Sequence, residues 1–292
     1  MDSARVSPPR LRVGLIGAGR VGIPLARALQ NAQHPIVSAH ATSASSQDRV
    51  HRWLPATDLT TIDQVVLASD LVVIAIPDDE LNSVIGGIAS TIGFRSGQFV
   101  FHTSGRFGLD VLAPALAQGA IGMALHPAMT FTGSPTDHDR LRACPFAVTT
   151  KPEWRFAAEA LVLEMGGTPV WLEDHHRVRY HAALAHASNH LNTLLAESVA
   201  LLNDIGIDEP NVFLEPLVQA AIENALGLGV AGLTGPISRG DVETLRQHMQ
   251  ALVGTSMFDT YQQLALATVE SALAGNRINA LQAQELRQVI EQ

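Results

Sequence analysis

Short apolar runs alternate with amphipathic stretches through the first 173 residues of the chain. The runs Leu11–Ile16, Pro35–Ala41, Leu71–Ile76, Gln98–His102 and Ala120–Leu125 are rich in β-branched residues and read as strands. Helical spacing falls between and after them, at Val21–Gln30, Ser46–Leu54, Ile62–Ala68, Asp79–Thr91 and Gly108–Ala117. Leu11–Ile16 and Leu71–Ile76 are almost wholly apolar, as strands covered on both faces must be. Phe146–Thr149, Pro152–Glu164 and Thr168–Leu172 add a strand, a helix and a strand, with Gly166–Gly167 ending the helix as a left-handed cap. After Leu172 the strand pattern stops. Asp174–Asn203 reads as one long helix closed at Gly206, and helices follow at Asn211–Leu226, Val242–Leu252, Ser256–Ala274 and Asn279–Ile290. A glycine-rich break, Gly227–Gly240, interrupts them. The pattern predicts a parallel sheet with helical crossovers over residues 1–173 and an all-helical domain over 174–292.

The first strand runs straight into Gly17-Ala18-Gly19-Arg20-Val21-Gly22. This G-x-G-x-x-G at a helix start is the dinucleotide-binding pattern of a Rossmann-like, doubly wound α/β domain. Gly17 permits the tight turn, Gly19 lets a pyrophosphate approach the backbone, and Gly22 lets helix and strand pack closely. The helix N-terminus then presents free N–H groups and a positive dipole end to phosphate. The segment after the second strand decides between cofactors. It reads His40-Ala41-Thr42-Ser43-Ala44-Ser45-Ser46, with Arg49 one turn further on, and holds no carboxylate. A carboxylate there would bond the ribose 2′-hydroxyl of NAD and repel a 2′-phosphate; hydroxyls and a guanidinium can hold one. The pattern therefore favours NADP(H), with Thr42, Ser43, Ser45 and Arg49 around the phosphate and Arg20 as a second clamp. Ser45 or Ser46 also serves as a plain helix cap on this reading. Ile76-Pro77-Asp78-Asp79 forms an edge where the nicotinamide ribose would pass, with Asp79 a candidate helix cap.

Charge and composition narrow the alternatives. The chain has 292 residues, 47% of them apolar, and a net charge of −9 with no basic run, which argues against nucleic acid or an anionic membrane surface as partner. A single cysteine, Cys144, allows no internal disulfide framework and fits a reducing compartment. Met1–Pro9 lacks the apolar core of a signal peptide, and no uninterrupted apolar run reaches membrane-span length. The expectation is a cytoplasmic protein.

Candidate chemistry clusters at strand ends and on the long helix. Two strands end in histidine, as His102-Thr103-Ser104-Gly105 and as Leu125-His126-Pro127. Ligands of doubly wound folds bind outside the carboxyl ends of the strands, so Thr103 and Ser104 are cofactor candidates and His126 a proton-donor candidate. Either histidine could instead bond backbone amides and shape its loop. On the long helix, His181, Ala185 and Asn189 are spaced i, i+4, i+8 among small residues, with His181 a candidate donor and Asn189 a candidate orienter of a carbonyl or amide. Arg239, in the glycine-rich break beside the candidate cap Asp241, suits a substrate carboxylate. His186 and His190 are i, i+4, but no carboxylate partner of the H-E-x-x-H kind accompanies them, so no metal is expected.

These motifs, in this order, resemble the bacterial NADP-dependent oxidoreductases that join a Rossmann domain to a helical domain of long-undefined function. The matching segments are His102–Gly105, Leu125–Pro127, Tyr180-His181 with Ser188-Asn189, and Thr234–Pro236 with Arg239–Asp241. The chain is more distantly similar to pyrroline-5-carboxylate reductases, ketopantoate reductases and β-hydroxyacid dehydrogenases, whose resemblance implies homodimers built through the helical domain. The last two carry a catalytic lysine four residues before the helix asparagine; here that position is Ala185, so their lysine mechanism does not transfer. The resemblance implies reduction of a C=O or C=N bond in a small carboxylated metabolite, with a ketopantoate-type substrate first. The competing reading is a catalytically silent NADP(H)-binding sensor.

Overall fold

The computed structural model describes residues 10–134 and 136–292; the expectation for Met1–Pro9 lies outside the described residues. The chain forms two compact units, Met1–Ala185 and His186–Gln292. The sequence pattern places the division near Asp174; the N-terminal unit runs on to Ala185 because the Arg177 side chain is drawn wholly into it.

Among the described residues, the N-terminal unit holds eight strands: β1 (Val13–Ile16), β2 (Ile36–His40), β3 (Asp58–Leu59), β4 (Leu71–Ile74), β5 (Phe99–His102), β6 (Ile121–Pro127), β7 (Pro145–Thr150) and β8 (Thr168–Trp171). They form one sheet in the order β3-β2-β1-β4-β5-β6-β7-β8. The helices are α1 (Gly22–Asn31), α2 (Ala44–Trp53), α3 (Ile62–Ala68), α4 (Leu81–Thr91), α5 (Ala113–Ala117), α6 (Asp137–Arg140), α7 (Arg155–Glu164) and α8 (Arg177–Ala185). Strand residues alternate between two cores. Leu15, Val73, Phe101 and Leu125 pack with α1 and α7, whereas Ile16, Val72, Ile74 and Val100 pack with α3 and α4. This is the doubly wound arrangement that the apolar runs predict.

Three details depart from the sequence pattern. β7 pairs antiparallel to β6, so the sheet is not parallel throughout. Among the described residues, the connection 128–144 contains only the four-residue α6, which does not make a full crossover, so the chain doubles back. The two-residue edge strand β3 is too short for periodicity to register. Asp79 does not cap α4; the cap position is Glu80, without a side-chain bond.

Two buried polar side chains hold the carboxyl edge of the sheet. Arg177, fully buried, donates from Nε to Thr149 Oγ1 at 2.8 Å and from Nη1 to the Ser104 carbonyl at 3.0 Å. Its Nη2 donates to the carbonyls of Ala124 (2.8 Å) and Ala147 (3.1 Å). One guanidinium thus joins the loop after β5 to β6 and β7. His102, also fully buried, accepts from the Ser104 N–H at Nδ1 (3.2 Å), and its Nε2 lies 2.8 Å from the Gly108 carbonyl. With the proton on Nε2, both bonds are satisfied by the neutral ring. Of the two readings open for His102, the structure supports the one that shapes its loop.

The C-terminal unit begins with a π turn, His186–His190, followed by α9 (Leu191–Asp204), α10 (Pro210–Leu228), α11 (Pro236–Arg239), α12 (Val242–Leu252), α13 (Phe258–Ala274) and α14 (Ala280–Ile290). Its core comprises Ile237 of α11 with Leu245, Val269, Leu286 and their neighbours on α12, α13 and α14. Among the described residues, α9 buries no side chain, and α10 buries only Pro210. Val212, Phe213, Leu217 and Leu226 of α10 are 62–85% exposed. By length and composition alone, the segment Pro210–Arg239 is apolar enough to cross a membrane, a property hidden from a search for uninterrupted runs by interspersed residues such as Glu215 and Glu223.

Burial holds His102 down from 6.5 to about 4. The unfolded chain therefore takes up a proton as pH falls below about 6.5, while the folded chain resists until about 4. The stability from the neutral ring is complete above 6.5 and lost on the way down, on the order of 3 kcal/mol at the acid end. Thermal melting should therefore shift downward between pH 7 and pH 5, and by less in His102→Gln. Equal shifts in both proteins would contradict this.

Candidate functional site

The glycines at the start of α1 behave as three different constraints. Gly17 has φ +96°, and a Cβ there would collide with the Ala75 carbonyl of the chain beyond β4. At Gly22 a Cβ would strike the Gly17 carbonyl, so helix and loop can approach only without one. At Gly19 a Cβ would meet nothing within 4 Å. That open approach lies directly before an α1 N-terminus that no side chain caps, at cap residue Val21, and whose first turn contains no acid. The positive dipole end and the open space fit a pyrophosphate, although in the first turn the Ile23 N–H already bonds the Gly19 carbonyl and Pro24 offers no N–H.

The end of β2 supplies hydroxyls and a guanidinium. Ser43, rather than Ser45 or Ser46, caps α2 by accepting the Ser46 N–H at 3.2 Å. Its Oγ also lies 2.8 Å from Ser46 Oγ and 3.2 Å from Ser45 Oγ. Arg49 donates from Nε to the Ala18 carbonyl (3.1 Å) and from Nη2 to Ser46 Oγ (2.8 Å), tying the glycine loop to the serine loop. Thr42 and Arg20 are exposed. Arg20, Arg27 and Arg49 line one small cleft with Gly19, Trp53 and His138, and no carboxylate lines it among the described residues. Arg27 was not a candidate from sequence; its guanidinium lies 4.5 Å from the Trp53 ring centre. Its signal was present, since Arg27 sits two helical turns beyond Arg20.

Ile76 and Pro77 follow β4, and Asp78 beside them accepts from Arg106 Nε at 3.2 Å. Thr103 and Ser104 follow β5. Thr103 N–H donates to the Ile74 carbonyl, and Ser104 Oγ accepts from the N–H groups of Arg106 (3.3 Å) and Phe107 (3.2 Å). Ser104 therefore shapes the loop with its side chain.

His126, at the end of β6, faces α8. Its Nδ1 lies 2.8 Å from Tyr180 Oη, and its ring meets those of Tyr180 and His181 edge to face at 5.6 Å and 6.0 Å. Arg177, Tyr180 and His181 share a helix face at i, i+3, i+4, so the buried guanidinium fixes where the other two stand. The same guanidinium holds the carbonyls of Ala124, two residues before His126, and Ala147, its partner across the ladder. A Cβ on Gly105 would lie 2.5 Å from His181 Cδ2 and 3.0 Å from His126 Nε2. The glycine thus lets the loop close over both rings.

The electrostatics of His126 and Tyr180 are those of neutral groups near one buried cation. Burial, then His181 and Arg177, push His126 down to about 4. Burial lifts the Tyr180 hydroxyl to about 12. Burial also lowers Arg177, to about 10, which leaves it charged at neutral pH. Tyr180 and His126 are therefore both uncharged near pH 7. With Tyr180 donating to Nδ1, the imidazole proton resides on Nε2, the nitrogen nearest Gly105.

The remaining candidates lie in the C-terminal unit. Asn189 falls within the π turn, so the i, i+4, i+8 spacing that assumes unbroken α periodicity does not carry through to it. Asn189 is exposed, and its Oδ1 accepts from Ser188 Oγ at 3.3 Å. His186 and His190 face each other, Nδ1 to Nδ1, at 2.8 Å. Asp241 caps α12 as expected, bonding the Thr244 N–H and hydroxyl. Arg239 is exposed in α11 and forms no ion pair among the described residues, so it is not tied up by Asp241. Arg177 was missed by sequence reasoning, which began its candidates on this helix at Tyr180 and His181.

Comparison with known proteins adds the following. Residues 1–127 match the model of a Rossmann-like domain, and residues 144–268 match that of a domain of unknown function, DUF2520. No curated protein matches the chain. Among solved structures, it is similar to a Bacteroides fragilis protein provisionally named an NADP oxidoreductase, with TM-score 0.76 and 21% identity over 89% of this chain and 98% of that one. A reductive aminase from Aspergillus terreus, solved with NADPH and ethyl-5-oxohexanoate, matches with TM-score 0.60 and 17% identity over 97% and 93% of the two chains. Plasmodium falciparum pyrroline carboxylate reductase with NADP bound matches with TM-score 0.57 and 10% identity over 96% and 98%. The fold is the one these structures share, and the chain carries in succession a region similar to a Rossmann-like domain and one similar to DUF2520.

Proposed function

We propose that the chain is an NADP(H)-dependent oxidoreductase that reduces a C=O or C=N bond of a small carboxylated metabolite, a ketopantoate-type substrate being the first to test. The observation that carries this reading is the open, uncapped α1 N-terminus tied through Arg49 to a Thr42–Ser46 segment that holds hydroxyls and no carboxylate. Solved proteins of the same fold with NADPH or NADP bound support it. Gly17, Ala18, Gly19 and Gly22 would hold the pyrophosphate, and Ser43, Ser45, Arg49 and Arg20 the 2′-phosphate. Bound NADPH would supply a hydride to the substrate carbon.

The chain's own contribution to the chemistry is the proton. His126 Nε2–H would donate to the substrate oxygen while Nδ1 takes the Tyr180 hydroxyl proton, and solvent then reprotonates the tyrosinate. The direction is favourable because an alkoxide is a stronger base than a tyrosinate. This relay works with both groups neutral, which is how burial keeps them. His181, beside His126, is the alternative donor. Arg239 is free to anchor a carboxylate. Asn189 is kept as an orienter of the substrate carbonyl or nicotinamide amide.

We further propose a homodimer through the C-terminal unit, since the exposed apolar side chains of α10 form a surface that water disfavours. The buried free thiol of Cys144 fits a reducing, cytoplasmic setting.

Titration should show NADPH binding at least roughly tenfold tighter than NADH, about 1.4 kcal/mol, with Arg49→Ala narrowing the gap. Equal affinities would remove the support for NADP. With a substrate found among 2-oxo acids and cyclic imines, Tyr180→Phe should lower kcat by about 10²-fold while NADPH affinity stays put, and Arg239→Ala should raise KM. Normal turnover in Tyr180→Phe, with the loss appearing in His181→Ala, would move the donor to His181. Tight NADPH binding without oxidation by any panel member would favour the sensor reading. Light scattering at micromolar concentration should give twice the chain mass. A detergent-free monomer would sink the dimer, and recovery only with membranes would favour α10 as a span.

A further inference from the structure

We propose that Glu173, His175 and His176 form a site for a divalent transition-metal ion on the turn that leads into α8. One ligand atom from each of the three lies within 4.8 Å of the other two. Two imidazole nitrogens and one carboxylate oxygen are the donors that zinc and its borderline neighbours choose, and the single negative charge suits a divalent ion.

The geometry needs little adjustment. Two donors on one tetrahedral zinc, bonded at about 2.0–2.1 Å, stand roughly 3.4 Å apart. His175 Nδ1 and Glu173 Oε2 are already 3.4 Å apart. Their side chains are 67% and 76% exposed, so the third donor can be met by rotation without disturbing any packing. The His175 and His176 ring centres lie 3.8 Å apart, which keeps both imidazoles on one side of the turn.

The backbone that carries the donors is fixed at both ends, unlike that of a chance surface cluster. The Leu172 N–H donates to the Val148 carbonyl, and the Leu172 carbonyl accepts from Thr149 Oγ1 at 2.6 Å. Asp174, between the donors, accepts the Leu109 N–H with both carboxylate oxygens, at 3.0 Å and 3.2 Å. Within the turn the His176 N–H donates to the Glu173 carbonyl, and Arg177 follows directly, locked in the sheet edge. Asp174 is committed to the loop and supplies no ligand. Three protein donors leave a coordination position for water or a fourth group.

Such an ion would brace the start of α8, the helix that carries Tyr180 and His181, without touching either. The inference is independent of the proposed activity. It is tested by calorimetric titration of the chelator-treated full chain with zinc chloride, alongside thermal melting. The result expected is one zinc per chain with a micromolar dissociation constant and a raised melting temperature, because the ion binds the folded turn. His175→Ala with His176→Ala should weaken binding at least tenfold and remove the shift, and Glu173→Gln should weaken it less. These exposed substitutions leave metal-free melting unchanged, which checks that the variants fold. His186→Ala with His190→Ala, which removes the other close histidine pair, should bind like the parent chain. Absence of saturable binding, or binding that survives loss of both His175 and His176, overturns the site.

Discussion

A charged guanidinium buried among oxygens, hydrogen-bonded to carbonyls and a hydroxyl rather than to a carboxylate, is the constraint on which this sheet edge depends. Arg177 gives four hydrogen bonds to Thr149, Ser104, Ala124 and Ala147, which belong to two strands and the loop after a third. A buried ion is tolerable only when its donors are satisfied, and here main-chain carbonyls supply most of the acceptors. The direction of α8 follows from that anchor. Tyr180 and His181, one turn on, are delivered to His126, and Gly105 leaves room for the rings to meet.

Burial sets most of the electrostatics. Desolvation, then the neighbouring His181 and the fixed charge of Arg177, oppose protonation of His126, while burial opposes ionisation of Tyr180 against the pull of the same guanidinium. A His126–Tyr180 pair that stays neutral near pH 7 is suited to passing a proton to an alkoxide as it forms. It is poorly suited to holding a cationic group. The dinucleotide end of the unit has the opposite character, with three arginines in one cleft and an unopposed helix dipole. Under the proposed function, one end of the sheet holds phosphate and the other transfers the proton.

Much of the N-terminal fold was legible because strands covered on both faces and amphipathic helices leave strong periodic signals, and the glycines of α1 stand where backbone geometry admits no side chain. The direction of β7 was not legible, because periodicity reports burial and not polarity of the strand. The π turn at His186–His190 was also hidden, since its residues read as ordinary helix. Arg177 was missed for a physical reason: an arginine near a helix start reads as a solvated charge, and only the sheet edge above it supplies the carbonyls that bury it. Its spacing to Tyr180 and His181 was the available signal. Arg49 was a candidate from sequence because a guanidinium after β2 has a specific chemical meaning in this fold.

The central claim is that one chain face binds NADPH with its reactive end beside the His126–Tyr180 pair. A crystal structure of the full chain with NADPH tests it most directly. The account predicts pyrophosphate over Gly19 at the α1 N-terminus, the 2′-phosphate within hydrogen-bond distance of Arg49 and the Ser43–Ser46 hydroxyls, and the nicotinamide ring at the Gly105 and His126 edge. A dinucleotide bound elsewhere, or one seated on the glycine loop with its nicotinamide directed away from His126, would contradict it.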